Sequence, residues 1–262
     1  MFLHGLLYNG DLWRNVVPHL ASSNRCLIPD LPLGAHFPPM NADADLTPPG
    51  LARLVVDFLD RLELSAATIV GNDTGGALCQ LVASNHPDRV DRLILTSCDA
   101  FDNFLPRSLR YAQALGWVPG AMTLLPRLLA IGPVQGLPFV LGRLTKRGFD
   151  PAVLEAALQP LRRDPGVRRD LAKVLRGISS RYTVAAAKRL RAFDRPTLIA
   201  WAEEDRLFPV AHADRLGDLL PNARVVRIKD AYSLVPEDQP EHLARLIAAF
   251  LGDHPLSVPS PT

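Results

Sequence analysis

The chain has 262 residues, of which 48% are hydrophobic and 21% charged, a balance that predicts a globular protein with a large core. It has no uninterrupted apolar run of about 18 residues, which excludes a membrane-spanning helix, and its first residues lack the features of a signal peptide. The net charge is only +2, aromatic residues are sparse and no nucleic-acid-binding motif is present, so we expect neither a nucleic acid nor a membrane as a partner.

The first 104 residues alternate between strand and helix patterns. The predicted strands span residues 26–28, 68–70 and 92–96. Between the first two, apolar residues recur at 51, 54, 55, 58 and 62, which is the spacing of one helical face. A second helical pattern begins at Gly75 and ends before Pro87.

From residue 105 to 195 the alternation stops, and the sequence is helix-patterned and interrupted by prolines. It returns at Pro196, and the last predicted elements are strands at 197–201 and 224–228 and helices at 210–219 and 241–251. Alternating β and α units predict a mostly parallel sheet with helices on both faces.

This pattern predicts one core with one insertion. The core is formed by residues 1–104 and 196–252, and residues 105–195 form a helical cap inserted into it. The tail, residues 253–262, is proline-rich and is predicted to be disordered.

The basic residues are concentrated in the predicted cap. Residues 106–195 contain 17 Lys and Arg against 5 Asp and Glu, and the remainder of the chain contains 12 against 22. An anionic substrate or an acidic partner would fit this asymmetry. A solvated helical surface explains it more simply, and we expect these side chains to point mainly to solvent.

The junction between the strand at 68–70 and the next helix carries the most informative motif, G-N-D-T-G at positions 71–75. A strand, a sharp turn and a helix, with glycines two before and two after a central residue, form the pattern of a nucleophile elbow. The glycines are needed because a neighbouring Cβ would crowd the strained central residue. That residue is Asp73, which indicates a carboxylate nucleophile; the alternative is an ordinary turn in which Asp73 caps the helix.

Together with the helical insertion, this motif resembles the α/β-hydrolase fold with a cap domain. His4-Gly5-Leu6-Leu7 resembles the HG loop of that family, and P-D-L at 29–31 matches a strand end. W-A-E-E-D-R-L-F-P at 201–209 is close to the family's W-G-x-x-D-x-x-x-P stretch, whose Asp is the acid of the triad. The segment 230–240 resembles the one that leads to the last helix. An Asp at the elbow is similar to haloalkane dehalogenases and epoxide hydrolases.

The resemblance implies covalent catalysis. The elbow carboxylate attacks carbon to give an ester, a His oriented by a second carboxylate activates water, and two backbone amides hold the oxyanion. It makes Asp73 the nucleophile, Asp205 the orienting acid, and the amides of Leu6 and Thr74 the oxyanion hole. Asp99 is an alternative acid, because some relatives place theirs there. We expect no metal and no other cofactor.

The histidine that the resemblance implies is missing. Counting back from Pro240, the family's G-H-F-x-x-x-x-x-P pattern places its His at Ser233. None of the seven histidines lies in this loop, and His242, the nearest, falls on the predicted last helix. Without this base, an ester on Asp73 would form and persist.

The residues that mark a substrate class are also absent. Dehalogenases are similar in having a Trp after the nucleophile and an Asn or Trp that binds halide, whereas Thr74 and Leu6 stand here. Epoxide hydrolases have a Pro where Leu7 stands, and they use two cap tyrosines. Tyr111 and Tyr182 are candidates for these, although we favour core-facing positions for both.

The start of the chain also departs from the resemblance. Only three residues precede His4, which is too short for a typical strand. We expect the sequence to start downstream of the natural start, so that N-terminal strands are missing or truncated. The alternative is a gap in the sheet beside the elbow strand.

Three functions fit these features. The favoured one is a hydrolase that uses Asp73 on a small, mostly apolar electrophile, namely an ester, an epoxide or a carbon–halogen compound. The second is a catalytically impaired binding protein on a hydrolase scaffold, and the third is a lyase or cyclase that uses Asp73 as an acid or base. All three imply a small-molecule partner. The three cysteines lack ligand or CxxC spacing, so we expect buried, reduced thiols and a cytoplasmic protein.

Overall fold

A five-stranded, entirely parallel sheet forms the centre of the computed structural model, which describes residues 1–137 and 140–255. The strands are β1 (Phe2–Leu3), β2 (Ala67–Asp73), β3 (Val90–Cys98), β4 (Thr197–Ala202) and β5 (Ala223–Ile228). Their order across the sheet is β1-β2-β3-β4-β5, so that spatial order and chain order coincide. The predicted mostly parallel sheet is confirmed.

Eleven α-helices surround this sheet within the described residues. They are α1 (Pro48–Arg61), α2 (Thr74–Asn85), α3 (Arg110–Leu115), α4 (Ala121–Leu128), α5 (Gly132–Gln135), α6 (Pro151–Arg163), α7 (Pro165–Gly177), α8 (Ser180–Leu190), α9 (Ala211–Leu219), α10 (Val235–Asp238) and α11 (Pro240–Asp253). In the part of the chain that is described, none of them has the length and apolar character needed to cross a membrane.

The two central strands are buried along most of their length. All residues of β3 except Asp91 and Arg92 carry side chains from the apolar or small polar classes, and the strand is buried almost throughout. Continuous burial rather than alternation is typical of parallel strands covered on both faces. Helix α2 packs on β2 and β3 and also contacts α1 and α8. This places the β2–α2 junction in the middle of the molecule.

One predicted strand is wrong. Residues 26–28 form no strand, and their contact with the sheet includes the bond from the amide of Phe2 to the carbonyl of Leu27, at 2.8 Å. Strand β1 has only two residues, which are too few to pair regularly with residues 26–28 on the side away from β2. The other predicted strands and helices in the core are present, with ends that differ by up to three residues.

Strand β1 lies directly beside the elbow strand. Phe2 pairs with Val70 and Leu3 with Gly71, and the N-terminal amine donates to the carbonyl of Thr68 at 2.7 Å. The sheet therefore has no gap next to β2 in the described part of the chain.

Between β3 and β4 the chain forms six helices, α3 to α8, and the described residues of this segment contain no regular strand. The division into a core and a cap at residues 105–195 stays a prediction. At the C-terminus, α11 continues to Asp253, and residues 256–262 of the predicted disordered tail lie outside the described residues. Among the cysteines, Cys79 and Cys98 are buried, and all three are free thiols.

Candidate active site

Asp73 occupies a strained turn between β2 and α2, at the carboxyl edge of the sheet. Its backbone has φ 56° and ψ −131°, which L residues rarely adopt. The flanking glycines permit the close approach of neighbouring chain. A Cβ on Gly71 would lie 2.5 Å from the carbonyl oxygen of Gly75, and one on Gly75 would lie 2.2 Å from that of Leu3. The sequence pattern G-x-x-x-G is thus required by the packing of the turn.

Two backbone amides donate to the Asp73 carboxylate. The amide of Thr74 makes a short hydrogen bond to Oδ1, and the amide of Leu6 donates from the HG loop. Gly5 lets this loop approach, because a Cβ there would lie 2.6 Å from Cβ and Cγ of Asp73. Burial raises the pKa of Asp73, and the bonds from Thr74 and Leu6 oppose that rise. These are the two amides predicted for the oxyanion hole.

His4 supports the HG loop, and among the described residues its ring makes no hydrogen bond to Asp73. Its Nε2 accepts from the amide of Leu31 at 2.8 Å, so the ring proton lies on Nδ1, which donates to the carbonyl of Gly5 at 2.9 Å. Burial lowers the pKa of His4 to about 4. A neutral ring with both nitrogens engaged is a structural element of the loop and cannot serve as the missing base.

Asp73 opens onto an apolar cavity of about 110 Å³. Twenty of the described residues line it: two belong to the HG loop, Tyr8 directly follows that loop, Asp73 lies at the elbow, and the other sixteen lie between Leu105 and Leu175. Seventeen of the twenty are apolar, and the exceptions are Asp73, Tyr8 and Tyr111. No Lys or Arg is among them, so the basic residues of this segment do not converge on Asp73.

Asp205 lies in the loop after β4 and is hydrogen-bonded to Ser233. Its Oδ1 accepts from the Ser233 hydroxyl at 2.6 Å and from the amides of Leu207 and Phe208 at 2.9 and 2.8 Å. Burial raises the pKa of Asp205, and the bond from Ser233 is the strongest opposing contact. The predicted acid and the residue at the histidine position are therefore brought together.

Ser233 is fully buried and connected to the elbow strand. The side-chain amide of Asn72, next to Asp73, donates to the carbonyl of Ser233 at 2.9 Å and to that of Ser97 at 3.1 Å. Neither Ser233 nor Asp205 lines the apolar cavity. The pair is thus held beside the elbow strand.

Asp99, the alternative acid, lies on the other side of the elbow. Its Oδ2 accepts from the Thr74 hydroxyl at 3.3 Å, and its amide donates to the carbonyl of Asp73 at 3.4 Å. Complete burial, and next the charge of Asp73, raise the pKa of Asp99 well above its usual value. In this geometry Asp205, and not Asp99, accepts the hydrogen bond from Ser233. The catalytic role of either residue stays a prediction.

Two tyrosines of the insertion, Tyr111 and Tyr182, and one that follows the HG loop, Tyr8, differ in their relation to the cavity. Tyr111 lines the cavity and is 45% exposed. Tyr182 lies outside the lining, and its hydroxyl accepts from Arg181 at 2.5 Å. Sequence analysis did not select Tyr8, which lines the cavity together with Asp73. The one available signal was its place four residues after His4, within reach of the predicted oxyanion loop.

The described histidines are bonded elsewhere or not bonded to the candidate site residues. Among the hydrogen bonds of the described residues, none joins a histidine to Asp73, Asp205 or Ser233. Within the same residues, no group of three or more His, Cys, Asp or Glu side chains is arranged to hold a metal ion.

Comparison with known proteins gives matches over most of the chain. A family model described as alpha/beta hydrolase fold matches residues 1–127 and 163–240. An uncharacterized hydrolase, YugF, of Bacillus subtilis is 26% identical over 250 residues, which cover 95% of this chain and 88% of that protein. A 2-hydroxymuconate semialdehyde hydrolase of a Pseudomonas species is 26% identical over 248 residues, or 92% of this chain and 81% of that protein.

Solved structures show the same architecture. A haloalkane dehalogenase of Bradyrhizobium elkani superposes with a TM-score of 0.78 at 21% identity, covering 96% of this chain and 89% of that one. An epoxide hydrolase superposes with a TM-score of 0.79 at 17% identity, covering 96% and 90%. At these identities the likeness shows the fold alone.

Proposed function

Because the chain belongs to the alpha/beta hydrolase fold family, we propose that it is a hydrolase in which Asp73 attacks a carbon atom of a small, uncharged, apolar electrophile. One observation carries this proposal. Among the described residues that line the apolar cavity, Asp73 is the only carboxylate, and two backbone amides converge on it. A carboxylate held in this way is oriented for attack on a ligand in the cavity.

In the first step, a carboxylate oxygen of Asp73 forms a bond to the substrate carbon. The bond from that carbon to its oxygen or halogen breaks, and the leaving atom takes the electron pair. The product is an ester on Asp73 where the attacked carbon is saturated, as in an epoxide or a carbon–halogen compound, and a mixed anhydride where it is the carbonyl carbon of an ester. The apolar lining favours this step because the attacking carboxylate has little water to displace.

In the second step, water attacks the carbonyl carbon of that ester. The amides of Leu6 and Thr74 are placed to stabilise the oxyanion that develops. A base must take the proton of the water. In the Asp205–Ser233 pair the Ser233 hydroxyl donates to the Asp205 carboxylate, and a carboxylate is a much weaker base than an imidazole. The ester is therefore expected to persist.

The cavity limits the substrate. Its volume of about 110 Å³ suits a small molecule, and the absence of Lys and Arg from its lining favours an uncharged one. In this proposal, the predicted cap at residues 105–195 encloses the substrate over Asp73. An ester, an epoxide and a carbon–halogen compound all meet these conditions.

The test is intact-protein mass spectrometry after incubation with haloalkanes, epoxides and activated esters. We expect a mass increase equal to the bound fragment, assigned by peptide fragmentation to Asp73. Asp73→Asn should abolish it, and the exposed Asp218→Asn variant should retain it. Turnover that persists in Asp73→Asn would contradict the proposal.

The raised pKa of Asp73 favours a second candidate, a lyase or cyclase in which this residue donates or accepts a proton. For this candidate we expect turnover of the substrate with no adduct on the protein, and we expect Asp73→Asn to abolish that turnover. Ligand retention with neither turnover nor adduct would instead identify a binding protein on a hydrolase scaffold.

A further inference from the structure

Exposed apolar side chains are concentrated in one short stretch of the insertion. Ten large hydrophobic residues of the described chain are exposed, and seven of them lie between residues 111 and 137. Single exposed apolar residues are normal on a protein surface, whereas a cluster indicates an interaction site. Five of the seven, which we call the apolar face, come from the turn before α4, from α4 and from the turn before α5: Trp117, Val118, Leu124, Leu128 and Ile131.

Helix α4 is apolar on two sides. Its inner side carries Met122, which is buried, and Leu125, which lines the cavity. Leu124 and Leu128 are four residues apart, and therefore neighbours on the helix surface, and they are 52% and 42% exposed. A surface helix normally presents polar side chains to water, and a helix that is apolar on both sides is normally covered on both. The outer side of α4 is therefore expected to have a partner.

The turn before α4 holds Trp117 at the surface. The amide of Trp117 donates to the carbonyl of Ala114 at 3.0 Å, and that of Val118 donates to the carbonyl of Leu115 at 3.1 Å. The guanidinium of Arg176 lies 5.3 Å from the centre of the Trp117 ring, and the residue is still 70% exposed. An exposed indole beside a guanidinium suits the boundary between lipid headgroups and acyl chains.

The charge around the apolar face has a single sign. Residues 103–149 contain six Lys and Arg and no Asp or Glu. Two of the six, Lys146 and Arg147, are paired with carboxylates outside this segment. The other four form no ion pair within the described part of the chain: Arg107, Arg110, Arg127 and Arg143. The positive charge beside the apolar face is therefore left uncompensated.

We propose that the apolar face binds the surface of an anionic lipid bilayer, with its side chains among the acyl chains and the unpaired arginines at the headgroups. A symmetric contact with a second copy would bring these arginines together, and their repulsion opposes that alternative. The expectation that no membrane is a partner rested on the small net charge of the whole chain and on the lack of a spanning run. Neither of these describes a local surface.

Binding in this way brings the lipid close to the cavity. Helix α4 carries the outer residues that enter the acyl chains and also Leu125, which lines the cavity. An apolar compound concentrates in the bilayer. If Asp73 acts as proposed, its substrate is then most concentrated next to the cavity. Binding to the bilayer does not itself depend on that function.

Trp117 is a reporter of the contact. The chain has three tryptophans, and Trp13 and Trp201 are fully buried. The full chain is titrated with vesicles of equal parts phosphatidylglycerol and phosphatidylcholine, and with vesicles of phosphatidylcholine alone. We expect tryptophan emission to move to shorter wavelength and to be quenched by lipids brominated on the acyl chains. Binding to the anionic vesicles should be tighter by about tenfold or more.

Two variants separate the apolar and the charged contributions. Leu124→Gln/Leu128→Gln keeps the reporter and should weaken binding to anionic vesicles by about tenfold or more. Arg127→Gln should weaken it by about fivefold at low salt and less than about twofold at high salt, because salt screens the attraction. Val184→Gln is the control, since Val184 is an exposed apolar residue on α8, outside the apolar face, and also has basic neighbours. Its binding should equal that of wild type.

A wild type that neither shifts its fluorescence nor co-sediments with anionic vesicles would overturn the proposal, as would equal binding of wild type and Leu124→Gln/Leu128→Gln. Sedimentation velocity without lipid tests the second copy. A wild-type dimer that becomes a monomer in Leu124→Gln/Leu128→Gln would assign the apolar face to self-association and refute the proposal. A monomer that binds no vesicles would point to an acidic protein as the partner and would refute it as well.

Discussion

The two halves of the candidate site differ in what they present to a ligand. At the elbow, Asp73 lines the cavity and receives two backbone amides. In the loop after β5, Ser233 is fully buried against Asp205, and neither side chain reaches the cavity lining. In the proposed function, the first half forms the bond to carbon, whereas the second half has Ser233 in place of the expected imidazole. On that proposal, formation and breakdown of the ester depend on separate parts of the chain.

The largest effect is expected from supplying the missing base. Ser233→His should accelerate breakdown of the Asp73 ester by about 10²- to 10⁴-fold, because an imidazole at this position can take a proton from water and Asp205 is already placed beside it. The decay of the adduct, followed by mass spectrometry after removal of the electrophile, measures this rate. Ser233→Asn is the matched control of similar size, and equal decay in both variants would contradict the prediction.

A second substitution sharpens the comparison between the halves. In the Ser233→His background, Asp205→Asn should remove most of the gain, by about 10²-fold, because the imidazolium loses its carboxylate partner. In otherwise wild-type protein it should change adduct formation less than about threefold, since Asp205 is absent from the cavity lining. The exposed Glu203→Gln variant is the control. A large loss of adduct formation in the single variant would show that the halves are not separable.

The pH dependence of adduct formation tests the elbow alone. Asp73 attacks only as a carboxylate, and burial raises its pKa above the usual 3.8. The rate should therefore be constant at high pH and fall by about tenfold per pH unit below the raised pKa. Single-turnover rates between pH 4 and 8 provide the profile. A midpoint at or below 3.8 would show that the amides of Leu6 and Thr74 outweigh burial.

The smallest effect concerns stability. Because the pKa of Asp99 is raised on folding, its contribution to stability is greatest below pH 3.8 and is lost as pH rises toward the folded-state pKa. Asn cannot ionise, so the Tm of Asp99→Asn minus that of wild type should increase from pH 5 to pH 8. A difference of one pKa unit corresponds to about 1.4 kcal/mol, or about 3–6 °C in a chain of this size. If the difference in Tm between Asp99→Asn and wild type is constant with pH, the raised pKa of Asp99 is contradicted.

The strands and the elbow could be predicted from the sequence because the residue patterns that indicate them are local. The apolar run before Gly71 and the helical pattern after Gly75 fix the turn, and the glycine spacing reports a steric requirement of adjacent backbone. The segment 26–28 has the same apolar composition as a strand, but pairing depends on what lies beside it. That information is not present in its own residues.

The polar residues of the cavity were harder to predict from the sequence. Tyr8 and Tyr111 line it while Tyr182 does not, and only the packing of the insertion on the HG loop decides this. The contact of Asp205 with Ser233 was expected from motif spacing, and the structure places the two side chains 2.6 Å apart. The cytoplasmic location remains a prediction from the sequence.

The order of the strands has a consequence for synthesis of the protein. Each strand after β1 pairs with the strand that was synthesised immediately before it. No strand of the described sheet therefore has to be inserted between two strands that were made earlier. While the ribosome is still making the insertion, β1, β2 and β3 can already pair, with the turn at Asp73 between them. Asp205 and Ser233 emerge only after these three strands have been made.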